Sequence, residues 1–198
     1  GLQERAAREG QEIVSSGPCR MVVLNPPADE PLVVSLRESH GGGHGLNNRS
    51  VVTRLTCGNH TMLFAADVER DALSRLTGSP SHGPVEVLKV PHHGAVSSLN
   101  RDWLASVHPR YAVFSAGRHN PYRHPSAAVL DAYGSEGSTV LRTDRDGGVW
   151  FTGGVAGKAL HVYRARELMW QPTNSVSCLW ACEQANWARM WKQWRDPH

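Results

Sequence analysis

Short apolar runs recur along this chain, each closed by Pro, Gly, Asn or Asp, with short helical patterns between them. Met21–Leu24 stops at Pro26–Pro27, and Leu32–Leu36 precedes a glycine-rich stretch, His40–Gly45. Ser50–Thr56 and Thr61–Ala65 flank Gly58–Asn59, a hairpin signal because these residues tolerate positive φ. Val85–Val90 and Tyr111–Ser115 read as further strands. Thr139–Thr143 and Gly148–Thr152 read as a hairpin around Asp146-Gly147-Gly148, trailed by a strand at Ala159–Tyr163. Helical spacing marks Glu69–Leu76, Asn100–Val107 with Asn100 as its cap, and a helix with Pro125 in its first turn reaching Tyr133. Residues 2–12 look like a polar helix end. Strands of this length alternating with short helices predict a layered α/β domain.

Composition narrows the function classes. With 198 residues and 40% hydrophobic content, the chain can bury a core, which excludes wholesale disorder. No run of 18 apolar residues exists, so no helical membrane span is expected, and the N-terminus lacks the apolar stretch of a signal peptide. The first residue is Gly, which suggests a processed or truncated product. A net charge of +3 suits a phosphate-bearing substrate without the concentrated charge of a DNA-binding arm. The four cysteines, Cys19, Cys57, Cys178 and Cys182, have no zinc-ribbon or thioredoxin spacing, and free, mostly buried thiols are expected.

Three polar sites share one property: each follows a predicted strand, where ligands bind in open α/β sheets. Asp67 follows Thr61–Ala66; His92-His93-Gly94 follows Val85–Val90; His119, Asn120 and His124 follow Tyr111–Ser115. Alone, such an Asp is a turn residue, a His pair is surface, and His124-Pro125 is an ordinary helix start. Together, at successive strand ends, a carboxylate and several imidazoles suit a divalent transition metal. Gly94 lets the backbone turn sharply after His93, and Ser97 or Ser98 can support a ligand or touch a phosphate oxygen.

The stretches NNRSVVTRL (47–55), MLFAADVE (62–69), VLKVPHHG (87–94), PRYAVFSAGRHNPYRHP (109–125) and RTDRDGGV (142–149) resemble the C-terminal half of the metallo-hydrolase domain of ComEC-type DNA-uptake proteins, of the metallo-β-lactamase superfamily. The resemblance runs from Asn47 to Thr152. It implies an αββα sandwich with one or two divalent ions, zinc or manganese, between its sheets. By this resemblance Asp67 is the bridging aspartate and His93 the late histidine ligand, 26 positions on. His124 is then the catalytic group that stabilises charge on a phosphoryl oxygen, and His92, Ser98 and Asn120 touch substrate. The implied reaction is attack by a metal-bound hydroxide on a phosphodiester such as DNA.

Three departures qualify that reading. The superfamily's His-x-His-x-Asp-His signature is absent, and the glycine-rich loop makes His40 and His44 poor substitutes. Ala66 stands where the family usually has glycine, which is tolerable unless the backbone needs positive φ there. Ala95 stands where serine is usual. Residues 1–164 therefore read as the latter part of a larger domain, with little activity alone. The missing first half would be supplied by a longer chain or a complementing one. A ComEC-type parent places the domain outside the inner membrane; a free-standing relative is cytoplasmic. Residues 165–198 hold five of the seven Trp, and Trp180, Trp187, Trp191 and Trp194 share one helical face. Such a tail packs on the core, or meets a partner protein or a membrane surface. A catalytically silent module that binds a partner or nucleic acid through this tail is the alternative to an enzyme.

Overall fold

The computed structural model describes residues 6–29, 44–79, 83–153 and 159–165. The chain divides into two compact units, Gly1–Arg166 and Glu167–His198. The strand expected at Leu32–Leu36, His40, and the Trp-rich tail from 166 onward lie outside the described residues.

In chain order the elements are β1 (Glu12–Ser16), β2 (Cys19–Asn25), α1 (His44–Asn47), β3 (Val52–Cys57), β4 (His60–Phe64), α2 (Arg70–Thr77), β5 (Val87–Lys89), α3 (Arg101–Val107), β6 (Tyr111–Phe114), α4 (Ala127–Ser135), β7 (Thr139–Arg142), α5 (Thr143–Asp146), β8 (Val149–Thr152) and β9 (His161–Arg164). The fold is α/β, as the alternation of runs predicts. Strands β1 to β7 form one mixed sheet in sequence order, and β8 and β9 form a second, two-stranded sheet. β1 through β4 pair antiparallel, whereas β4, β5, β6 and β7 run parallel. The parallel ladder places the carboxyl ends of four strands along one edge, and the loops that follow them share that edge.

Side-chain alternation assigns the faces. Leu63, Leu88, Ala112 and Phe114 face the helices and meet Leu73, Leu76, Trp103, Leu104, Val129 and Tyr133 in the core. In α2, Ala72, Leu73 and Leu76 follow helical spacing and are buried, each leucine contributing about 2 kcal/mol. Asn100 caps α3 by accepting from Trp103 N, as its sequence position predicts. Tyr111 and Val113 alternate to the other face, where Tyr111 meets Phe151 of β8 at 5.6 Å between ring centroids.

Four expectations are corrected. Residues 6–11 are not helical: Gly10 N and Gln11 O bond Val23 at 2.9 Å, because pairing with β2 satisfies backbone groups that a helix without an apolar face would leave in water. Pro125 precedes α4, whose cap is Ser126 accepting from Val129 N. Thr139–Thr143 and Gly148–Thr152 form no hairpin. β7 pairs parallel with β6, and the turn of α5 carries the chain into the second sheet, with Asp146 Oδ2 accepting from Arg142 N at 2.7 Å.

The fourth correction concerns the thiols. Cys19 and Cys57 are cross-strand register partners on β2 and β3, and they form a disulfide. Nothing in their spacing of 38 announces it; antiparallel pairing brings them together. Closing a loop of that length restricts the unfolded chain, so reduction is expected to lower the unfolding free energy by about 4 kcal/mol. Denaturant melts with and without dithiothreitol measure this, and a Cys19→Ser/Cys57→Ser variant should match the reduced protein.

Candidate functional site

The loops after β4, β5 and β6 meet at the carboxyl edge of the parallel strands. Asp67 lies just past β4. Its neighbour Ala66 has φ 47°, so the backbone does need the left-handed region where glycine is usual. The Ala66 carbonyl accepts from His92 N and from Lys89 Nζ, each at 2.9 Å, which holds that conformation. A left-handed alanine costs about 1–2 kcal/mol, of which glycine's greater unfolded entropy returns part. Ala66→Gly is therefore expected to stabilise the domain by up to about 1 kcal/mol, read as a shift in denaturant midpoint at unchanged slope.

After β5 the chain passes through three successive left-handed residues, His92 at φ 45°, His93 at 56° and Gly94 at 84°. Strain of this kind concentrates at functional sites. It also aims the two imidazoles. His93 Nδ1 lies 2.6 Å from the Ser115 carbonyl oxygen. A carbonyl accepts only, so Nδ1 carries a proton, and the neutral ring then presents a lone pair at Nε2. That Nε2 lies 3.5 Å from Asp67 Oδ1. Two donors on one tetrahedral ion, at bonds near 2.1 Å, stand roughly 3.4 Å apart. Asp67 and His93 are thus brought together as the sequence predicts. Among the described residues, no group of three or more His, Cys, Asp or Glu is placed to hold a metal. Lys89 Nζ stands 3.7 Å from Asp67 Oδ1; burial holds its ammonium below the usual lysine range, and Asp67 opposes that shift.

Glu69 is the residue that sequence reasoning missed. It is buried, and its Oε1 accepts from Ser97 Oγ at 3.0 Å and Asn47 Nδ2 at 3.2 Å. The same oxygen lies 3.0 Å from His92 Nδ1, out of line for a hydrogen bond but close enough that an electron pair on Nδ1 would be repelled. Glu69 therefore favours the His92 form with a proton on Nδ1. A glutamate at a helix start reads from sequence as an ordinary end residue. Here the capping falls to Asn48, whose Oδ1 accepts from Glu69 N at 2.9 Å and Ala72 N at 3.3 Å, so the Glu69 side chain turns instead to Ser97 and Asn47, beside His92.

His124 stands with its ring 6.0 Å from that of His92, and the His92 and His93 rings are 6.3 Å apart. Burial, then the charges of His92 and His93, hold the His124 imidazole below its ordinary pKa, which favours its neutral form. Two expected substrate contacts are placed otherwise. Ser98 is buried, and its hydroxyl donates to the carbonyls of Ala95 at 2.8 Å and Pro91 at 3.1 Å, so it braces the turn, while Ser97 faces Glu69. Asn120 braces the His124 loop: Nδ2 donates to His124 O at 2.7 Å and Gly117 O at 2.9 Å, and Oδ1 accepts from His124 N at 2.9 Å. The side chain of His44, like all of His40, lies outside the described residues.

No family model matches the chain. It is 34% identical over 122 residues to Competence protein ComA of Neisseria gonorrhoeae, which covers 60% of this chain and 18% of that protein. It is 29% identical over 129 residues to ComE operon protein 3 of Bacillus subtilis (strain 168), 65% of this chain and 15% of the relative. These names support a ComEC-type competence family. Recombination protein 2 of Haemophilus influenzae is 31% identical over 103 residues, 52% of this chain and 13% of that protein. The chain thus spans less than a fifth of the length of the competence relatives it matches.

Proposed function

We propose that this chain is the C-terminal part of a metal-dependent phosphodiester hydrolase with a metallo-β-lactamase sandwich, working within a ComEC-type competence protein. The observation that carries the reading is the facing pair at the β4 and β5 ends: Asp67 Oδ1 and His93 Nε2 lie 3.5 Å apart, both electron-pair donors when the ring is neutral, with His93 Nδ1 tied to a main-chain carbonyl. Two facing acceptors suit a cation between them, and a carbonyl behind a histidine is the usual support of a ligating imidazole. Asp67 and His93 would hold one divalent ion, zinc or manganese. When bound, such an ion lowers the pKa of water and polarises a phosphoryl oxygen. The remaining donors come from a preceding half or a complementing chain, since catalytic zinc takes three protein ligands or more.

The chain's own residues supply the rest. The Ser115 carbonyl holds a proton on His93 Nδ1, and Glu69, 3.0 Å from His92 Nδ1, favours a proton there. His124, favoured neutral, donates a hydrogen bond to a phosphoryl oxygen as charge develops there. The sandwich is supported by the sheet face turned away from the helices, which carries Met62, Phe64, Tyr111 and Val113 and receives Phe151 of β8. A second face that is apolar but for Lys89, in register between Phe64 and Val113, calls for a second layer. The Cys19–Cys57 disulfide favours the extracytoplasmic side over the cytoplasm.

The test is zinc titration of the 198-residue chain followed by histidine ring NMR, with DNA hydrolysis measured in the longer parent polypeptide. The expected result is that His93 signals move first and that Asp67→Asn abolishes the movement. Zinc shifts that ignore both Asp67→Asn and His93→Ala would sink the reading.

A further inference from the structure

The loop between β6 and α4 has features that holding His124 does not require. Tyr122 is 77% exposed, yet its ring is not loose: it stacks on His124 at 5.9 Å between centroids and 16° between planes. Beneath it, the three Asn120 hydrogen bonds close the turn, and Arg123 is held at φ 57° with its N–H on Asn120 O. The Tyr122 ring lies near-parallel to the imidazole and offset from it, while most of the side chain is in water. From Ala116 to Ser126 the loop carries Arg118 and Arg123, both exposed, and no acidic residue. Arg118 is anchored by Nε donating to Asp144 O at 3.2 Å. Four rings, Tyr122, His124, His92 and His93, lead from solvent to Asp67 in steps of 5.9, 6.0 and 6.3 Å.

We infer that Tyr122 is a stacking platform for an unpaired nucleobase of a polynucleotide substrate, with Arg118 and Arg123 facing the flanking phosphates. A preformed aromatic face beside cations is what single-stranded nucleic acid recognises, because every base has a π-face and every linkage a negative charge. A base inside a duplex has both faces covered by its neighbours, so the platform selects strands with an unstacked base. Seated there, the nucleotide's backbone runs toward His124 and the Asp67/His93 pair. This assignment rests on the hydrolase reading for its purpose but not for its test.

The test measures binding without cleavage. Fluorescein-labelled oligothymidylate and an abasic strand of the same length are titrated with the full chain in EDTA, read by anisotropy. Tyr122→Ala is expected to weaken oligothymidylate binding roughly 5- to 150-fold, the range set by loss of one stacked base, and Tyr122→Trp to restore it. The abasic strand should bind more weakly and ignore both substitutions. Equal affinity of wild type and Tyr122→Ala for oligothymidylate, no binding by wild type, or abasic binding as tight as oligothymidylate overturns the inference. Tyr122-dependent binding without metal-dependent cleavage by the longer parent leaves the platform standing and removes the hydrolase; cleavage indifferent to Tyr122→Ala does the reverse.

Discussion

Gly94→Val is expected to leave little folded protein. At φ 84°, Gly94 occupies backbone space that side chains avoid, and a Cβ there would meet Pro125 Cβ at 2.7 Å and Phe114 Cδ1 at 2.8 Å. Neither neighbour can withdraw. Phe114 is fully buried and packs edge-on against Tyr133 at 5.5 Å, and Pro125 sits in the tie between Gly94 O and Ser126 N. Left-handed strain of about 1–2 kcal/mol adds to overpacking of about 1–3 kcal/mol for a first methyl, and a β-branched side chain adds more. The sum, about 5 kcal/mol, is comparable with the whole stability of a domain. Soluble yield and circular dichroism melts measure it. Gly134→Ala is the control: it lies in α4 with nothing within 4 Å of a new Cβ, and should stabilise by about 0.5–1 kcal/mol. A Gly94→Val protein with a wild-type melt would show that the turn carrying His92 and His93 is not locked against the core.

On the proposed hydrolase function, Asp67→Asn is expected to lower DNA hydrolysis by a longer polypeptide carrying this chain at least about a thousandfold, while leaving the fold of this chain intact. Asp67 is partly exposed and takes no part in the core, so its loss costs little stability. The amide keeps the shape but replaces a charged oxygen pair by a neutral carbonyl and an N–H₂ that faces His93 Nε2, 3.5 Å from the present Oδ1. Losing several kcal/mol of ligand and charge stabilisation corresponds to that factor at about 1.4 kcal/mol per decade. Steady-state rates with fixed zinc or manganese, beside an unchanged thermal melt, give the separation. A rate within tenfold of wild type would overturn the proposed role of Asp67.

Much of the fold was legible because local patterns agreed with tertiary needs. The β3–β4 hairpin, the Asn100 cap and the leucine spacing of α2 are each written in a few adjacent residues. The pattern misled where pairing partners are remote. β7 and β8 look like a hairpin in sequence, but parallel pairing with β6 takes β7, and β8 finds β9 instead. Cys19 and Cys57 looked like free thiols because their proximity depends on the β2–β3 register. Ser98 and Ser97 show the same limit at the scale of one residue: either can reach a ligand on paper, and the turn buries the first and gives the second to Glu69.

What the sequence by itself determined is the order of chemistry along the chain: a carboxylate, a histidine pair and a histidine loop, each closing a strand of an α/β sheet. That order is local, since strand, turn and polar end follow one another directly. Only the tertiary structure decided the distances and orientations at which those groups meet. The parallel ladder set Asp67 against His93, left-handed turns at Ala66 and 92–94 aimed them, and the fold brought the buried Glu69 carboxylate to 3.0 Å from His92 Nδ1. Distances and orientations across a sheet edge depend on register and backbone handedness, which no single stretch of residues encodes.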